Sequence, residues 1–215
     1  MLAQILKNLV WFGHSGFCLE AGGKTVYFDP FRLSGELKAA DIILVSHEHY
    51  DHCSPEDIAK LLKPGTILIT EPMAAAKLQD GLETRIMRPG EHIQVGDIMV
   101  EAVPAYNINK RFHPRGNNWL GFVIDIAGVK IYHAGDTDYI PEMQGIDTDI
   151  ALLPVSGIYV MTPREAAQAA IDIKPQVAIP MHYGSLVGDP AAGHEFKQEL
   201  AGRVRVELTN SEIVD

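Results

Sequence analysis

Two landmarks recur in this 215-residue chain at the same separation, and that repetition constrains the fold more than any other feature. The apolar run Ala40-Asp41-Ile42-Ile43-Leu44-Val45-Ser46 is matched by Thr148-Asp149-Ile150-Ala151-Leu152-Leu153-Pro154, with Asp41 and Asp149 108 positions apart. Ser54-Pro55-Glu56-Asp57 is matched by Thr162-Pro163-Arg164-Glu165, again 108 positions on. Both runs are short and nearly continuous, as expected of strands buried on two faces. Both second landmarks read as helix starts, with a hydroxyl N-cap, proline at the first helical position and an acid at the third. Thr162 and Glu165 also fit a capping box.

The flanking segments agree. Gly23-Lys24-Thr25-Val26-Tyr27-Phe28-Asp29 and Gly128-Val129-Lys130-Ile131-Tyr132-His133-Ala134-Gly135-Asp136 each read as a turn glycine, a β-branched and aromatic strand, and an aspartate at its end. The helices continue with Ile58, Leu61 and Leu62, and with Ala166, Ala169, Ala170 and Ile173, each set spaced for one buried face. Lys63-Pro64-Gly65 and Lys174-Pro175 stop them. Two similar β-rich halves packed face to face, with helices outside, make an α/β fold of four layers, an αββα sandwich. Residues 1–215 are expected to form one such domain. Further strands are expected over Lys7 to Phe12, Phe17 to Ala21, Thr66 to Thr70, Ile98 to Val103, Trp119 to Ile126, Val177 to Pro180 and Val204 to Leu208, with a short helix over Glu71 to Leu78. The long irregular stretch from Asn107 to Asn118 reads as a binding loop.

Composition narrows the partners. Hydrophobic residues make up 47%, enough for a sizeable core, and the formal net charge is −10. The densest basic stretch is Lys110-Arg111 with Arg115 nearby, which is no stripe for a nucleic-acid backbone. A small-molecule substrate fits better than a nucleic acid. No apolar run approaches the roughly 20 residues that span a bilayer. The two cysteines, Cys18 and Cys53, form neither a CxxC pair nor a disulfide scaffold, which points to a reduced, cytoplasmic protein. Self-association into a homo-oligomer is left open.

The chemistry concentrates in Ser46-His47-Glu48-His49-Tyr50-Asp51-His52, directly after a buried strand, where loops of α/β folds carry sites. In extended chain His47, His49 and Asp51 point to one side, and His52 follows as the chain turns into the Ser54 helix. Imidazole and carboxylate are both ligands for divalent metals, so this one loop can serve two neighbouring ions.

These residues resemble the metallo-β-lactamase superfamily, whose pattern His-x-His-x-Asp-His is met in full by His47, His49, Asp51 and His52. The αββα sandwich is that family's fold. The resemblance implies two divalent ions, zinc in the first place, with manganese or iron as alternatives. It implies Asp136 as the aspartate bridging them, and His182, in Ile179-Pro180-Met181-His182, as the last histidine ligand. It implies a hydroxide held between the ions that attacks an ester, lactone or phosphodiester, with Asp51 able to accept a proton. Asp29 resembles the aspartate that orients a ligating histidine. His133, and His14 in Trp11-Phe12-Gly13-His14, are read as residues touching ligands rather than metal, or for His14 as a cap of its turn. His92 and His194 carry no motif and are expected at the surface, and Cys53 as an ordinary helix-start residue.

One landmark departs from the pattern. The family commonly has a histidine shortly after the strand that ends near Val103, and here Asn107 stands in that place. His113, six residues on, is a candidate replacement ligand. Otherwise the first ion would have two histidines, Asp136 and water. Two other readings stand beside the hydrolase: a regulatory metal-binding protein with a degraded site, which Asn107 would favour, and a redox di-iron protein, against which His49 counts.

Overall fold

The apolar runs become strands, and their alternation decides which way each side chain faces. The computed structural model describes residues 1–78 and 81–209; residues 210–215 of the expected domain lie outside that range. Its first half runs α1 (Leu2–Lys7), β1 (Leu9–Trp11), β2 (Phe17–Ala21), β3 (Lys24–Phe28), β4 (Ile42–Val45), α2 (Pro55–Leu61), β5 (Ile67–Thr70), α3 (Pro72–Ala75) and β6 (Glu83–Ile86). The second runs β7 (His92–Val95), β8 (Ile98–Pro104), β9 (Leu120–Ile126), β10 (Val129–His133), β11 (Ile150–Pro154), α4 (Pro163–Ile173), β12 (Val177–Met181), α5 (Ala192–Glu199) and β13 (Arg205–Val206).

The strands form two sheets, one of six in the order β1 to β6 and one of seven in the order β13 to β7. Each sheet begins with antiparallel hairpins and continues with parallel strands. The matched hairpins use the same turn. Ala21 pairs with Lys24 across Gly22-Gly23, and Ile126 pairs with Val129 across Ala127-Gly128, with all four turn residues at positive φ. Positive φ at both central residues is the two-residue turn that matches strand twist.

In β3 and β4 the alternation is explicit. Val26, Phe28, Ile42 and Leu44 face the second sheet, and Tyr27, Ile43 and Val45 pack beneath the first sheet with Ile58 and Leu61 of α2. Against the second sheet lie Ala166, Ala169, Ala170 and Ile173 of α4 and Phe196 of α5. The layers are therefore helix, sheet, sheet, helix. A fully buried leucine, isoleucine or phenylalanine stabilises by about 1.5–3 kcal/mol.

The caps work differently in the two halves. Thr162 and Glu165 exchange both bonds of a capping box. In α2 Ser54 accepts from the Asp57 amide, but the buried Asp57 carboxylate takes the Ser54 hydroxyl and the amides of Arg32 and Leu33 rather than the N-cap amide. It thereby ties down the loop after β3.

Several boundaries differ from the sequence reading. Lys7 to Phe12 does not run as one strand: α1 occupies Leu2–Lys7, because Ile5 is buried and Leu2 and Leu6 pack against the same core. β6, β7 and α5 are short and largely exposed or half-buried, and emerge through pairing and packing. The segment from Glu71 shortens to one turn, capped by the Glu71 carboxylate on the amides of Met73 and Ala74. No helix among the described residues is long and apolar enough to cross a membrane.

Candidate functional site

The loop after β4 leads the chain to the edge between the sheets and then turns sharply. The amides of His52 and Cys53 both donate to the His49 carbonyl. That turn breaks the extended alternation. His47 and His49 stay together, their rings 4.6 Å apart, while Asp51 swings to the opposite side with His52. Asp51 thus does not share a face with His47 and His49, because two backbone hydrogen bonds fold the loop between them.

Other loops complete two adjoining groups. In the first, ligand atoms of His47, His49 and His113 lie within 4.8 Å of one another; in the second, those of His14, Asp51, His52 and His182 do so. Asp136 sits between. Its Oδ2 is 3.2 Å from His113 Nε2 and 3.0 Å from His182 Nε2, and its Oδ1 is 3.4 Å from His52 Nε2. His14, expected behind the ligands, lies among them: its Nε2 is 3.0 Å from Asp51 Oδ2 and its ring 3.9 Å from that of His182. The His182 amide donates to the His14 carbonyl, which explains the approach of two residues so distant in sequence.

The supporting contacts set tautomers. Asp29, at the end of β3, accepts from the Ser46 amide and hydroxyl, both at 2.7 Å, and from His52 Nδ1 at 2.8 Å. That bond leaves His52 Nε2 facing Asp136. Ser156 Oγ lies 3.1 Å from His182 Nδ1 and does the same for that ring. His133 Nε2 donates to the Ser15 carbonyl and its Nδ1 accepts from the Gly135 amide, so it links the turn carrying His14 to the turn carrying Asp136. Trp119 packs against the rings of His47, His49 and His113.

Asn107 proves to be a bracket for His113. Its Oδ1 accepts from the His113 amide at 2.9 Å and from His113 Nδ1 at 3.1 Å, which turns Nε2 toward Asp136. Its own amide donates to Asp138 and to the Tyr159 carbonyl. Buried Asp138 also receives the amides of Ile108 and Asn109 and the Lys110 ammonium. Asp138, Ser156 and Trp119 were missed from sequence. Two signals were present: Asp138 stands two places after Asp136, and the Val-Ser pair that closes the first matched run at Val45-Ser46 recurs at Val155-Ser156, directly after the second.

The backbone is strained where the cluster forms. Seven non-glycine residues among those described have positive φ, and His14, Asp29 and His182 are three of them. Such residues cost of order 1–3 kcal/mol each and persist where surrounding structure holds them. Gly135 has φ +62°, and a Cβ there would lie 2.6 Å from the Leu120 carbonyl oxygen, so only glycine lets the Asp136 turn close against β9.

Electrostatics favour cation ligation. Burial lowers His14 to about 4 despite its bond to Asp51, and burial likewise lowers His47 and His49, which leaves neutral imidazoles with free lone pairs. Burial would raise Asp51, but the His14 hydrogen bond and the charge of His52 bring it to about 2. Burial would also raise Asp136, yet His182, His52 and His113 hold it well below the usual carboxylate range. His52 goes the other way: Asp136 and Asp29 outweigh burial and raise it.

The fit to a metal can be judged from two observations. His52 Nε2, His113 Nε2, His182 Nε2 and Asp136 Oδ1 are buried without a hydrogen-bond partner, an arrangement that is costly unless a cation satisfies it. Two nitrogen or oxygen ligands at about 2.0–2.1 Å from one tetrahedral ion stand roughly 3.3 Å apart. The separations around Asp136, 3.0 to 3.4 Å, and the 3.0 Å between His47 Nε2 and His49 Nδ1 match that edge. The residues fit divalent metal.

Known proteins agree in fold and sequence. A family model described as the beta-lactamase superfamily domain matches residues 8–182. A UPF0173 metal-dependent hydrolase of Thermoplasma acidophilum is 38% identical over 210 residues, covering 92% of each chain. Another, of Methanopyrus kandleri, is 34% identical, covering 90% of this chain and 91% of the relative. Among solved structures, Igni18, a metallo hydrolase from the archaeon Ignicoccus hospitalis, superposes with a TM-score of 0.77 at 27% identity over 94% of both chains.

Proposed function

Because this chain belongs to the beta-lactamase superfamily of metal-dependent hydrolases, we propose that it hydrolyses a small-molecule ester, lactone or phosphodiester with two divalent cations. His47, His49 and His113 would hold one ion, and Asp51, His52 and His182, with His14 beside them, the other. Asp136 would touch both. The observation that carries this reading is the set of buried, unpartnered ligand atoms converging on Asp136. Bound divalent cations supply a water acidified toward neutral pH and a Lewis acid for the scissile bond.

The chain's own residues do the rest. Asp29 and Ser156 hold His52 and His182 in the tautomers that face the site. Asp51 lines the open side and is ionised at neutral pH; its lowered pKa makes it a weak proton acceptor, so its carboxylate serves first as a ligand. Trp119 excludes water behind His47, His49 and His113. The degraded-site reading rests on Asn107, and the approach of His113 Nε2 to Asp136 counts against it. The buried free cysteines Cys18 and Cys53 suit a reducing compartment, and we place the enzyme in the cytoplasm.

Elemental analysis and turnover test this together. The purified protein is expected to hold about two zinc, manganese or iron ions per chain, by analogy with two-metal hydrolytic sites. Chelation should abolish hydrolysis of generic ester, lactone or phosphodiester probes, and one divalent metal should restore it. Full turnover in the chelated protein would overturn the proposal.

The Asn107 bracket yields a second test. Asp138→Asn keeps the volume but weakens the acceptor that holds Asn107. One of the two ions should then bind about 10–100-fold more weakly, as when other hydrogen-bond supports of ligands are lost. Chelator competition reads this directly. Affinities for both ions unchanged from wild type would show that Asp138 does not position His113.

A further inference from the structure

A pocket of about 440 Å³ opens directly onto the candidate metal site, within the range of small-molecule sites. His49, Asp51, His113 and Asp136 make its floor. Its walls are Tyr50, Phe112, Tyr159, Leu186 and Val187, with no lysine or arginine among them. Lys110, on the same loop as Phe112, has its ammonium engaged by buried Asp138. Phe112 and Tyr159 meet edge to face at 4.8 Å. The segment bearing Leu186 and Val187 is drawn close by Gly188, where a Cβ would stand 2.6 Å from Ser156 Cβ. One wall is thus seated on the residue that orients His182.

Apolar exposure gathers at the same place. Eight large hydrophobic residues are exposed among those described, and Tyr50, Ile108, Phe112 and Ile158, at 66%, 60%, 45% and 51%, belong to the loops framing this pocket. Folding alone gains nothing from such exposure, and a clustered apolar patch marks a contact surface.

Resting on the hydrolase reading above, we infer that the substrate is an uncharged carbonyl compound, an ester, thioester or lactone, whose non-reacting part is an aryl group or short acyl chain lying between Phe112, Tyr159, Leu186 and Val187. A phosphodiester fits less well. Its second unesterified oxygen would meet an apolar wall with no cationic side chain to receive it. An acyl or aryl group gains burial there at no such cost.

Hydroxamates of increasing chain length test this by binding rather than turnover. The zinc-loaded protein is titrated calorimetrically with aceto-, butyro-, hexano- and benzohydroxamate, and with phenyl phosphate. Each methylene should tighten binding about two- to fourfold, since a buried methylene favours transfer by about 0.8 kcal/mol. Hexanohydroxamate should therefore bind at least about tenfold more tightly than acetohydroxamate, and phenyl phosphate more weakly than benzohydroxamate. Phe112→Ala should reduce the hexano-to-aceto ratio about threefold or more. Ile86→Ala, an exposed apolar residue outside the pocket, should leave the ratio unchanged.

Chain-length-independent binding, or tighter binding of phenyl phosphate, overturns the inference while ester hydrolysis can still stand. Strong chain-length dependence in a protein that hydrolyses no ester, thioester, lactone or phosphodiester keeps the apolar wall as a binding surface but sinks the hydrolase reading and, with it, the substrate assignment. No hydroxamate binding by the zinc-loaded protein overturns both.

Discussion

Asp136→Asn is expected to lower kcat/KM by at least about a thousandfold, which corresponds to about 4 kcal/mol of transition-state stabilisation, and to cost the protein at least one bound ion. Asp136 is buried and its two oxygens face His52, His113 and His182 from a single point. No other carboxylate among the described residues reaches both histidine groups. Asparagine keeps the shape but removes the charge and leaves one carbonyl oxygen, a weaker ligand.

The metal-free protein gives a control with a defined sign. The folded-state pKa of Asp136 is depressed, so its carboxylate stabilises the fold above the unfolded-state carboxylate pKa of about 3.9, and that stability is lost as pH falls through the folded value. Chelated wild type should therefore be more stable than chelated Asp136→Asn at pH 7, and the difference should shrink as the solution is acidified below the ordinary carboxylate range. Elemental analysis and thermal unfolding with and without chelator measure these effects. A variant that retains two ions and activity within tenfold of wild type removes Asp136 from its assigned place.

Asp29→Ala carries the largest expected loss of stability. Three donors converge on this carboxylate: the Ser46 amide, the Ser46 hydroxyl and His52 Nδ1. Removing it strands them in a site that is almost fully buried. Each unsatisfied buried group costs about 1–3 kcal/mol, so a loss of about 3–5 kcal/mol is expected, the size seen when one partner of a buried ionic cluster is deleted. The loss should persist after chelation, because these bonds do not depend on metal. Metal affinity should also fall about 10–100-fold, since His52 loses its orienting partner.

Asp29→Asn separates two contributions. Asp29 adopts φ +39°, which asparagine tolerates better than alanine. The asparagine variant therefore reports lost hydrogen bonds with little added backbone strain. Denaturant unfolding of both variants, with and without chelator, is the measurement. A loss below about 1 kcal/mol for Asp29→Ala would place the strength of this corner elsewhere.

Much of the framework was legible because it is local. The helix starts at Ser54 and Thr162, the strand runs after Asp41 and Asp149, and Gly135 each act over a few residues, and their chemistry is written in order along the chain. The repeat then assembled these pieces into two sheets with helices outside. Elements with weak local signals were hidden. β6 and β7 are short and half exposed, and α1 is held by Ile5 reaching the core with no side-chain cap at its start.

The sequence by itself determined which residues bear metal-seeking atoms: His47, His49, Asp51 and His52 in one loop, Asp136 and His182 each just after a strand. Only the tertiary structure decided how they are shared. The turn at His49 sends Asp51 away from His47 and His49, His14 enters from a hairpin 37 residues before Asp51, and His113 arrives because Asp138 and Asn107 brace its loop. The physical reason is that a ligand set depends on the direction of side chains at closed loops. Hydrogen bonds between segments remote in sequence set those directions, and no periodicity along the chain records them.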